Sequence, residues 1–275
     1  MQTITSKDNE LIKHIRKLKD KKYRDESNEY VVEGVKLVEE AVKENAKINK
    51  VDNAEFICGD VEFAFDELTT RTYEIPTHIM LEIARYECIS VSNKIFNIIT
   101  QVTNPQGIMA IIEKNAQDAQ IDYTQDIIVV LDDVQDPGNL GTILRTVDSI
   151  GLNQIIVSKG TADAFNSKVV RSTMGAIFRI KIIEVENLVQ EIKKMKKHHF
   201  KLMVTSLQTK NSIYDIDFNK KIIIIGNEAN GVSKEIQDMA DEKAKIPMLG
   251  RTESLNASVA AGVVMYEYVR QKLSK

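Results

Sequence analysis

The second half of the chain alternates short apolar runs with amphipathic segments. Runs rich in Ile and Val predict strands at 127–131, 154–158, 179–184, 201–206, 221–225 and 243–247. Apolar positions at helical spacing predict helices over 139–150, 167–174, 186–197, 232–240 and 255–273. Strands that alternate with helices are typical of a parallel sheet covered on both faces. The predicted fold class is therefore α/β with a parallel sheet, whose ligands bind beyond the carboxyl ends of the strands.

The first half has a less regular pattern, which indicates a smaller mixed α/β domain. A basic helix is predicted over 8–22, followed by a strand at 30–32, a turn at Gly34 and a helix that begins at Val35. Further along we predict one more helix and two strands, at 76–86 (with Pro76 in its first turn), 89–93 and 107–114.

A polar, aperiodic stretch at 114–126 separates the two halves. It predicts a first domain over 1–114, a linker over 115–125 and a second domain over 126–275.

Composition narrows the class of protein. The chain has 275 residues, of which 43% are hydrophobic and 28% charged, and no apolar run approaches the roughly 18–20 residues needed to span a bilayer. The first ten residues lack the apolar core of a signal peptide. Two cysteines, Cys58 and Cys88, form neither a disulfide framework nor a zinc cluster. We therefore expect a cytoplasmic protein with reduced thiols, no bound metal and no membrane partner.

Charge is unevenly distributed along the chain. The net charge is −3, yet residues 13–24 hold seven Lys or Arg and one acid, and residues 193–201 hold five Lys and two His. Such a run is usually a solvated helix face. Two basic runs in an acidic protein also make a polyanion a candidate partner.

Polar chemistry follows the first predicted strand of the second domain. In DDVQDPGNLGTILRT, Asn139 is a reasonable helix N-cap, and Arg145 lies six residues further, about 9 Å along the helix axis. The arginine could reach a phosphate or carboxylate near the strand end. The alternative is a capped helix with a surface arginine.

The strand at 221–225 is followed by GNEANGVS. Gly226 and Gly231 have the spacing of a phosphate loop, but Val232 stands where the essential lysine would be. No G-x-G-x-x-G follows any strand either. What remains is a glycine where a ligand could approach the backbone, with Glu228 beside it. An ordinary Asn-Gly turn would explain the same residues.

The last predicted strand leads into LGRTESLNASVAAG. Gly250 gives a bendable loop, and Ser254 or Asn256 can cap the helix that follows. The small residues at the start of that helix allow a second backbone or a flat ligand to pack closely. A tight helix–sheet contact without a ligand is the alternative.

Together, DPGNLGTILRT, IIIIGNEANGVS and IPMLGRTESLNASVAAG resemble the three motifs of SpoU-type (TrmH-like, SPOUT superfamily) RNA ribose 2′-O-methyltransferases. SKVVRSTMGAIFRI (167–180) is also similar to that family, and the first half resembles the ribosomal-protein-like substrate-binding domain of its ribosomal-RNA subgroup. The similarity covers nearly the whole chain. One departure is Thr146-Val147-Asp148, where relatives more often have alanines, and we interpret it as a change in packing.

The resemblance implies a deep trefoil knot in the second domain, a homodimer, and S-adenosylmethionine (AdoMet) as methyl donor to ribosomal RNA. It implies polar catalytic positions at Asn139, Arg145, Glu228, Ser254 and Asn256. Of these, Glu228 would fix Arg145 or position the ribose hydroxyl. The implied cofactor-binding positions are Thr205, Ser206, Gly226, Ile246, Met248 and Leu255. The implied RNA contacts are Lys13, Arg16, Lys17, Lys19, Lys21, Lys22, Arg24 and Arg171.

Three other functions stay open on sequence alone. The chain could modify transfer RNA, could bind RNA without catalysis, or could be an α/β enzyme that uses a nucleotide cofactor in redox or phosphoryl chemistry. The absence of a glycine fingerprint and of a phosphate-loop lysine argues against the last of these.

Overall fold

A computed structural model describes residues 3–48, 56–59, 88–114, 120–206 and 209–274. Its strands are β1 Thr3–Ile4, β2 Glu29–Glu33, β3 Phe56–Gly59, β4 Cys88–Val91, β5 Ile108–Glu113, β6 Ile127–Asp132, β7 Gln154–Ser158, β8 Lys181–Val185, β9 Lys201–Thr205, β10 Lys221–Gly226 and β11 Glu242–Ala244. Its helices are α1 Glu10–Lys17, α2 Lys21–Ser27, α3 Val35–Lys43, α4 Asn93–Ile99, α5 Pro137–Ser149, α6 Ser167–Ser172, α7 Leu188–Lys197, α8 Lys234–Asp238 and α9 Ala257–Leu273.

The chain forms two compact units. The first unit comprises Met1–Asn115 and Phe165–Phe178, and the second comprises Ala116–Ala164 and Arg179–Lys275. The segment 165–178, which the sequence pattern places in the second domain, thus groups with the first. Within that unit the ring of Phe165 packs on Tyr30, with 4.9 Å between ring centroids.

The first unit is built on a mixed sheet with the strand order β1-β4-β3-β5-β2. β5 pairs antiparallel with β2 and β3, whereas β4 pairs parallel with β1 and β3. Its core joins apolar residues of α1 and α4 to those of β2, β3 and β5, among them Ile12, Phe96 and Met109. α4 and β3 were not predicted from the pattern, and the helix predicted over 76–86 lies outside the described residues.

The prediction of one continuous helix over 8–22 is wrong. α1 ends at Lys17, and α2 starts at Lys21 because the Asp20 carboxylate accepts a hydrogen bond from the Tyr23 amide. Across this break the Arg24 guanidinium donates to the carbonyl of Leu18 at 2.7 Å. Asp20, the single acid of the basic run, is therefore a helix cap.

The turn predicted at Gly34 is confirmed. Gly34 has a φ of +102°, a conformation that glycine adopts without strain, and α3 begins at the next residue. The Val35 amide donates to the side-chain oxygen of Gln106, which takes the place of a capping side chain.

The second unit contains the predicted parallel sheet, with the strand order β11-β9-β10-β6-β7-β8 and every neighbouring pair parallel. One face of the sheet packs against α7 through residues such as Ile192 and Met195. α5 packs against α9 and buries Leu140, Ile143 and Val147. Most element ends differ from prediction by a few residues, as expected at fraying ends. The trefoil knot stays a prediction.

Candidate active site

The carboxyl ends of β6 and β10 bring the first two motifs together, because these strands are neighbours with Gly226 opposite Asp132. Just beyond them, the Glu228 carboxylate accepts three hydrogen bonds. Two come from the backbone amides of Gln135 and Asp136, both at 3.1 Å, and one comes from Nδ2 of Asn139 at 2.9 Å. The second motif therefore holds the loop and first helical turn of the first motif.

The third motif joins the same network through Asn256. Its Nδ2 donates to Oδ1 of Asn139 at 2.9 Å, while its Oδ1 accepts from Ser258 and Val259 at the start of α9. Because the Glu228 carboxylate can only accept, Asn139 must turn its amide nitrogen toward Glu228 and its oxygen toward Asn256. Each amide group thus has one defined orientation, and all three motifs are linked.

The prediction that Asn139 caps its helix is wrong. Asp136 is the N-cap of α5, since its Oδ1 accepts from the Asn139 amide at 2.8 Å and Pro137 occupies the first helical position. Asn139 therefore lies inside the first turn, buried, with its side chain available to the network. Asp followed by Pro and Gly was the sequence signal for this cap.

At the start of α9, the choice between two caps is decided in favour of Asn256. Ser254 is exposed and lies outside the hydrogen-bond network of the described residues. Its hydroxyl is thus left to meet a ligand.

Opposing effects act on the protonation of Glu228. Partial burial of the carboxyl group raises its pKa, but the hydrogen bonds from Asn139 and from the amides of Gln135 and Asp136 outweigh this effect, so the pKa is lowered from its ordinary value. The group is ionised at neutral pH, and its oxygens already accept three bonds. Glu228 is consequently a poor proton acceptor for catalysis and a good anchor for the first motif.

Arg145 does not join this network. It is exposed on α5, and its guanidinium makes no hydrogen bond or ion pair with any residue that the structure describes. The expectation that Glu228 fixes Arg145 is therefore replaced by the observed pairing of Glu228 with Asn139. The guanidinium of Arg145 is left available to an anionic ligand.

The unusual Thr146-Val147-Asp148 sequence has a local explanation. The Asp148 carboxylate accepts from Nε and Nη2 of Arg179 at 2.9–3.1 Å, a two-point ion pair within the second unit. The ion pair accounts for Asp148; Val147 is fully buried, and the interpretation of the departure as a change in packing stays a prediction.

Three of the candidate cofactor positions lie at the carboxyl ends of β9 and β10, which are neighbours in the sheet. Thr205 ends β9 and Ser206 follows it, Gly226 ends β10, and the loop after β11 carries Ile246 and Met248. With Leu255, all six are partly exposed.

The loop after β11 fits a bound nucleoside. From 246 to 255 no backbone group forms a hydrogen bond with another described residue. Free amides and carbonyls suit the polar edge of an adenine, and the partly buried side chains of Ile246, Met248 and Leu255 suit its apolar faces. The loop is therefore a candidate site for the nucleoside of a cofactor.

The chain's own packing requires a glycine at position 226. A Cβ at this position would lie 2.2 Å from the Gly231 carbonyl carbon and from the Val232 nitrogen. Asn227 and Gly231 exchange backbone hydrogen bonds of 2.8 and 3.0 Å across the turn. The close approach that requires glycine comes from the chain itself, and ligand contacts are left to the Gly226 backbone.

We expect Gly226→Ala to destabilise the protein by about 1–3 kcal/mol, because the added methyl must displace backbone atoms. Gly262→Ala is the matched control: a Cβ there meets no atom within 4 Å, and alanine in a helix interior is favoured over glycine by about 0.5–1 kcal/mol. Urea unfolding of both variants measures the difference. Equal stabilities would contradict the tight turn.

Most of the candidate RNA-binding residues in the first unit are accessible on α1, α2 and the turn between them. Arg16, Lys17, Lys19, Lys21 and Lys22 are exposed. Lys13 is partly exposed and pairs with Glu10 at 2.8 Å, and Lys19 donates weakly to the carbonyls of Ile98 and Thr100.

Two other candidates are placed differently. Arg24 is buried, and its guanidinium donates to the Leu18 carbonyl. This position does not support the prediction that Arg24 contacts RNA. Arg171 lies on α6 in the first unit, partly buried, and lines a small cavity with Glu33 and Gln101.

Comparison with known proteins agrees with this geometry. Residues 126–266 match the SpoU rRNA Methylase family, and residues 9–110 match an MRM3-like substrate binding domain. The chain belongs to the SpoU rRNA methylase family. The resemblance carried by the three motifs is thus confirmed, together with the parallel-sheet domain and the substrate-binding domain.

Members of the family similar to this chain include proteins named for reactions on ribosomal RNA. A Bacillus subtilis relative named 23S rRNA (guanosine(2553)-2′-O)-methyltransferase RlmP is 32% identical over 267 residues, covering 97% of this chain and 98% of the relative. The structure of an AdoMet-bound rRNA methyltransferase from Sinorhizobium meliloti has a TM-score of 0.80 at 30% identity and covers 98% of each chain. The SpoU methyltransferase AviRb from Streptomyces viridochromogenes, in complex with AdoMet, has a TM-score of 0.79 at 25% identity, covering 97% of this chain and all of the other.

Cys58 and Cys88 are not joined in a disulfide. No group of three or more His, Cys, Asp or Glu side chains that could hold a metal ion occurs within the described ranges. In the same ranges, every helix is too short or too polar to cross a membrane.

Proposed function

We propose that this chain transfers the methyl group of AdoMet to a ribose 2′-hydroxyl of ribosomal RNA, and specifically of the large-subunit 23S RNA. The observation that carries the proposal is the hydrogen-bond network Glu228–Asn139–Asn256, which unites the three SpoU motifs beside a loop with free backbone groups. The substrate-binding domain match and the 23S rRNA methyltransferase relative, which covers 97% of this chain, favour ribosomal over transfer RNA.

The cofactor would lie at the edge formed by β9, β10 and β11. Backbone groups of Gly226, Ile246 and Leu255 would hold its adenosine, with Thr205, Ser206 and Met248 lining the site. When bound, AdoMet supplies an electrophilic methyl group on a sulfonium. The chain must therefore only bring the ribose hydroxyl into line and ease the loss of its proton.

Arg145 is the residue that we assign to charge stabilisation. Arginine stays protonated at physiological pH, so it cannot act as a literal base. Its exposed guanidinium can clamp a phosphate next to the target ribose and stabilise negative charge that develops on the 2′-oxygen. Asn139 is bonded to Glu228 and to Asn256, so these side chains hold the loops, while the hydroxyl of Ser254 would orient the ribose.

RNA would be gripped by exposed basic residues of α1, α2 and the turn between them, while Arg171 remains a candidate contact of the first unit. Because such binding releases counterions, affinity should fall steeply with salt. We also propose that the protein works in the cytoplasm without a metal ion.

A second copy of the chain is the proposed partner of α9. Val259 and Tyr266 are seven residues apart on one side of this helix and about half exposed, with the partly exposed Val263 between them. An apolar stripe of this kind is typical of an interface. Sedimentation at micromolar concentration should give the mass of a dimer, and a monomer would overturn this assignment.

The function is tested by incubating the protein with labelled AdoMet and separate pools of unmodified 23S, 16S and transfer RNA, then identifying nucleosides by mass after digestion. We expect a 2′-O-methylated nucleoside from 23S RNA alone. Label in transfer RNA instead would show that transfer RNA, and not 23S RNA, is the substrate. No label in any pool, with AdoMet binding intact, would favour an RNA-binding protein without catalysis.

A further inference from the structure

The basic run 193–201 lies in the second unit and takes no part in the candidate active site. It covers the end of α7 and the first residue of β9. Because all strands of this sheet are parallel, the run lies at the amino ends of the strands, and the three motifs lie at their carboxyl ends. Strands of five or six residues at about 3.3 Å each put roughly 15–20 Å between the two ends.

Ion pairs neutralise only part of this run. Lys194 pairs with Glu191 at 2.8 Å, and Lys196 pairs with Asp241 at 2.9 Å. The remaining cationic or titratable side chains are exposed and have no hydrogen bond or ion pair within the described part of the chain; they are Lys193, Lys197, His199 and Lys201. An unneutralised cluster of this kind on a protein of net charge −3 indicates an anionic partner.

A stacked aromatic pair lies in the same cluster. The ring of His198 stacks on Tyr123, with centroids 3.7 Å apart and planes 8° from parallel. Tyr123 covers one face of the His198 ring, and His198 is exposed to solvent. An exposed ring with one covered face can take a second flat ring on its other face.

The stacked pair of Tyr123 and His198, here called the platform, is held in place before any ligand arrives. Lys220 donates to the carbonyls of Tyr123 and Gln125, at 2.8 and 3.1 Å, and its ammonium lies 4.7 Å from the ring centroid of the buried Phe200. Phe200 also packs at a tilt against Tyr123. A platform that is already ordered loses little conformational entropy on binding.

We propose that Lys193, Lys197, His198 and Lys201 form a second RNA-binding surface, which takes single-stranded RNA: the lysines contact phosphates and an unstacked base lies on His198. An exposed aromatic ring beside unpaired cations is the combination that binds single strands, whereas an acidic peptide would need the charges alone. The surface would hold RNA away from the methylated nucleotide, so this inference extends the proposed function to a second part of the same substrate.

The test compares fluorescent single-stranded oligouridine of about 20 nucleotides with an RNA duplex of equal length. We expect the single strand to bind more tightly. Lys193→Gln with Lys197→Gln should reduce the slope of log affinity against log salt by about 1.4, at about 0.7 per phosphate contact on a single strand. His198→Ala should weaken binding about fivefold or more with the slope unchanged, since one stacked base contributes about 1–3 kcal/mol.

The matched control is Lys181→Gln with Lys243→Gln, which removes the same charge from two exposed lysines of the second unit that have no ion pair within the described part of the chain. It should leave both slope and affinity unchanged. AdoMet binding and thermal stability verify that each variant is folded. If wild type, His198→Ala and the Lys193/Lys197 double variant bind oligouridine equally tightly, the proposed RNA-binding surface is wrong and an acidic protein becomes its candidate partner. If duplex and single strand bind equally tightly, the stacking of a base on His198 is wrong.

Methyl transfer separates this inference from the proposed function. With unmodified 23S RNA, the variants should raise KM for RNA and leave kcat unchanged, because the surface lies at the far end of the sheet. A wild-type protein that binds oligouridine through this surface but transfers no methyl would refute the function alone. Normal methyl transfer with an unchanged KM in every variant would refute the surface alone.

Discussion

Arg145→Ala should lower the rate of methyl transfer by about 10²–10³-fold while AdoMet affinity and stability stay unchanged. The size of the effect is that of removing one group that stabilises developing negative charge in a transition state. Stability should not change, because Arg145 is exposed and makes no polar contact with the described residues. Single-turnover rates with saturating RNA and AdoMet measure the loss directly.

Arg145→Lys is the informative companion. Lysine keeps the positive charge but lacks the planar guanidinium that donates two hydrogen bonds to a phosphate. We therefore expect a rate between those of wild type and Arg145→Ala. Near-normal turnover of the alanine variant would remove Arg145 from the mechanism. A loss of AdoMet binding would instead mean that Arg145 supports the cofactor site.

Asn139→Ala should destabilise the protein by about 1–3 kcal/mol and remove most activity. Asn139 is 7% exposed and is the only member of the network that contacts both Glu228 and Asn256. Its truncation removes one of the three hydrogen bonds to Glu228 and leaves Nδ2 of Asn256 without its partner, and both losses cost free energy. Urea unfolding and turnover, measured on the same preparations, show whether both properties fall together.

Asn139→Asp makes the same network sensitive to pH. The new carboxylate would replace an amide nitrogen that lies 2.9 Å from Glu228 Oε1, so like-charge repulsion raises the folded-state pKa of the pair. The destabilisation should be largest at neutral pH and should shrink as pH falls through that raised value, because protonation removes the repulsion.

Asn153→Asp is the control for this charge change, since Asn153 is exposed and its side-chain oxygen only accepts from Gln125. It should show no comparable recovery at low pH. The same unfolding free-energy deficit for Asn139→Asp at pH 5 and pH 7.5 would argue that Glu228 does not face Asn139 as described.

Local pattern was enough to predict most of the second unit. Ile and Val runs marked its strands, and alternation with helices predicted a parallel sheet, because burial on both faces leaves no polar positions in a central strand. The first unit was harder. Its α1–α2 break depends on Asp20 capping α2 and on Arg24 reaching back to Leu18, which a basic amphipathic run does not reveal.

The sequence by itself therefore determined the fold class, the family and the identity of the polar motif residues. Only the tertiary structure decided how those residues act. Asn139 and Glu228 are 89 residues apart and Asn139 and Asn256 are 117 apart, so their pairing depends on which strands are neighbours. Element boundaries follow from nearby side chains and caps, whereas a site follows from the order of strands in the sheet, which no short stretch of sequence contains.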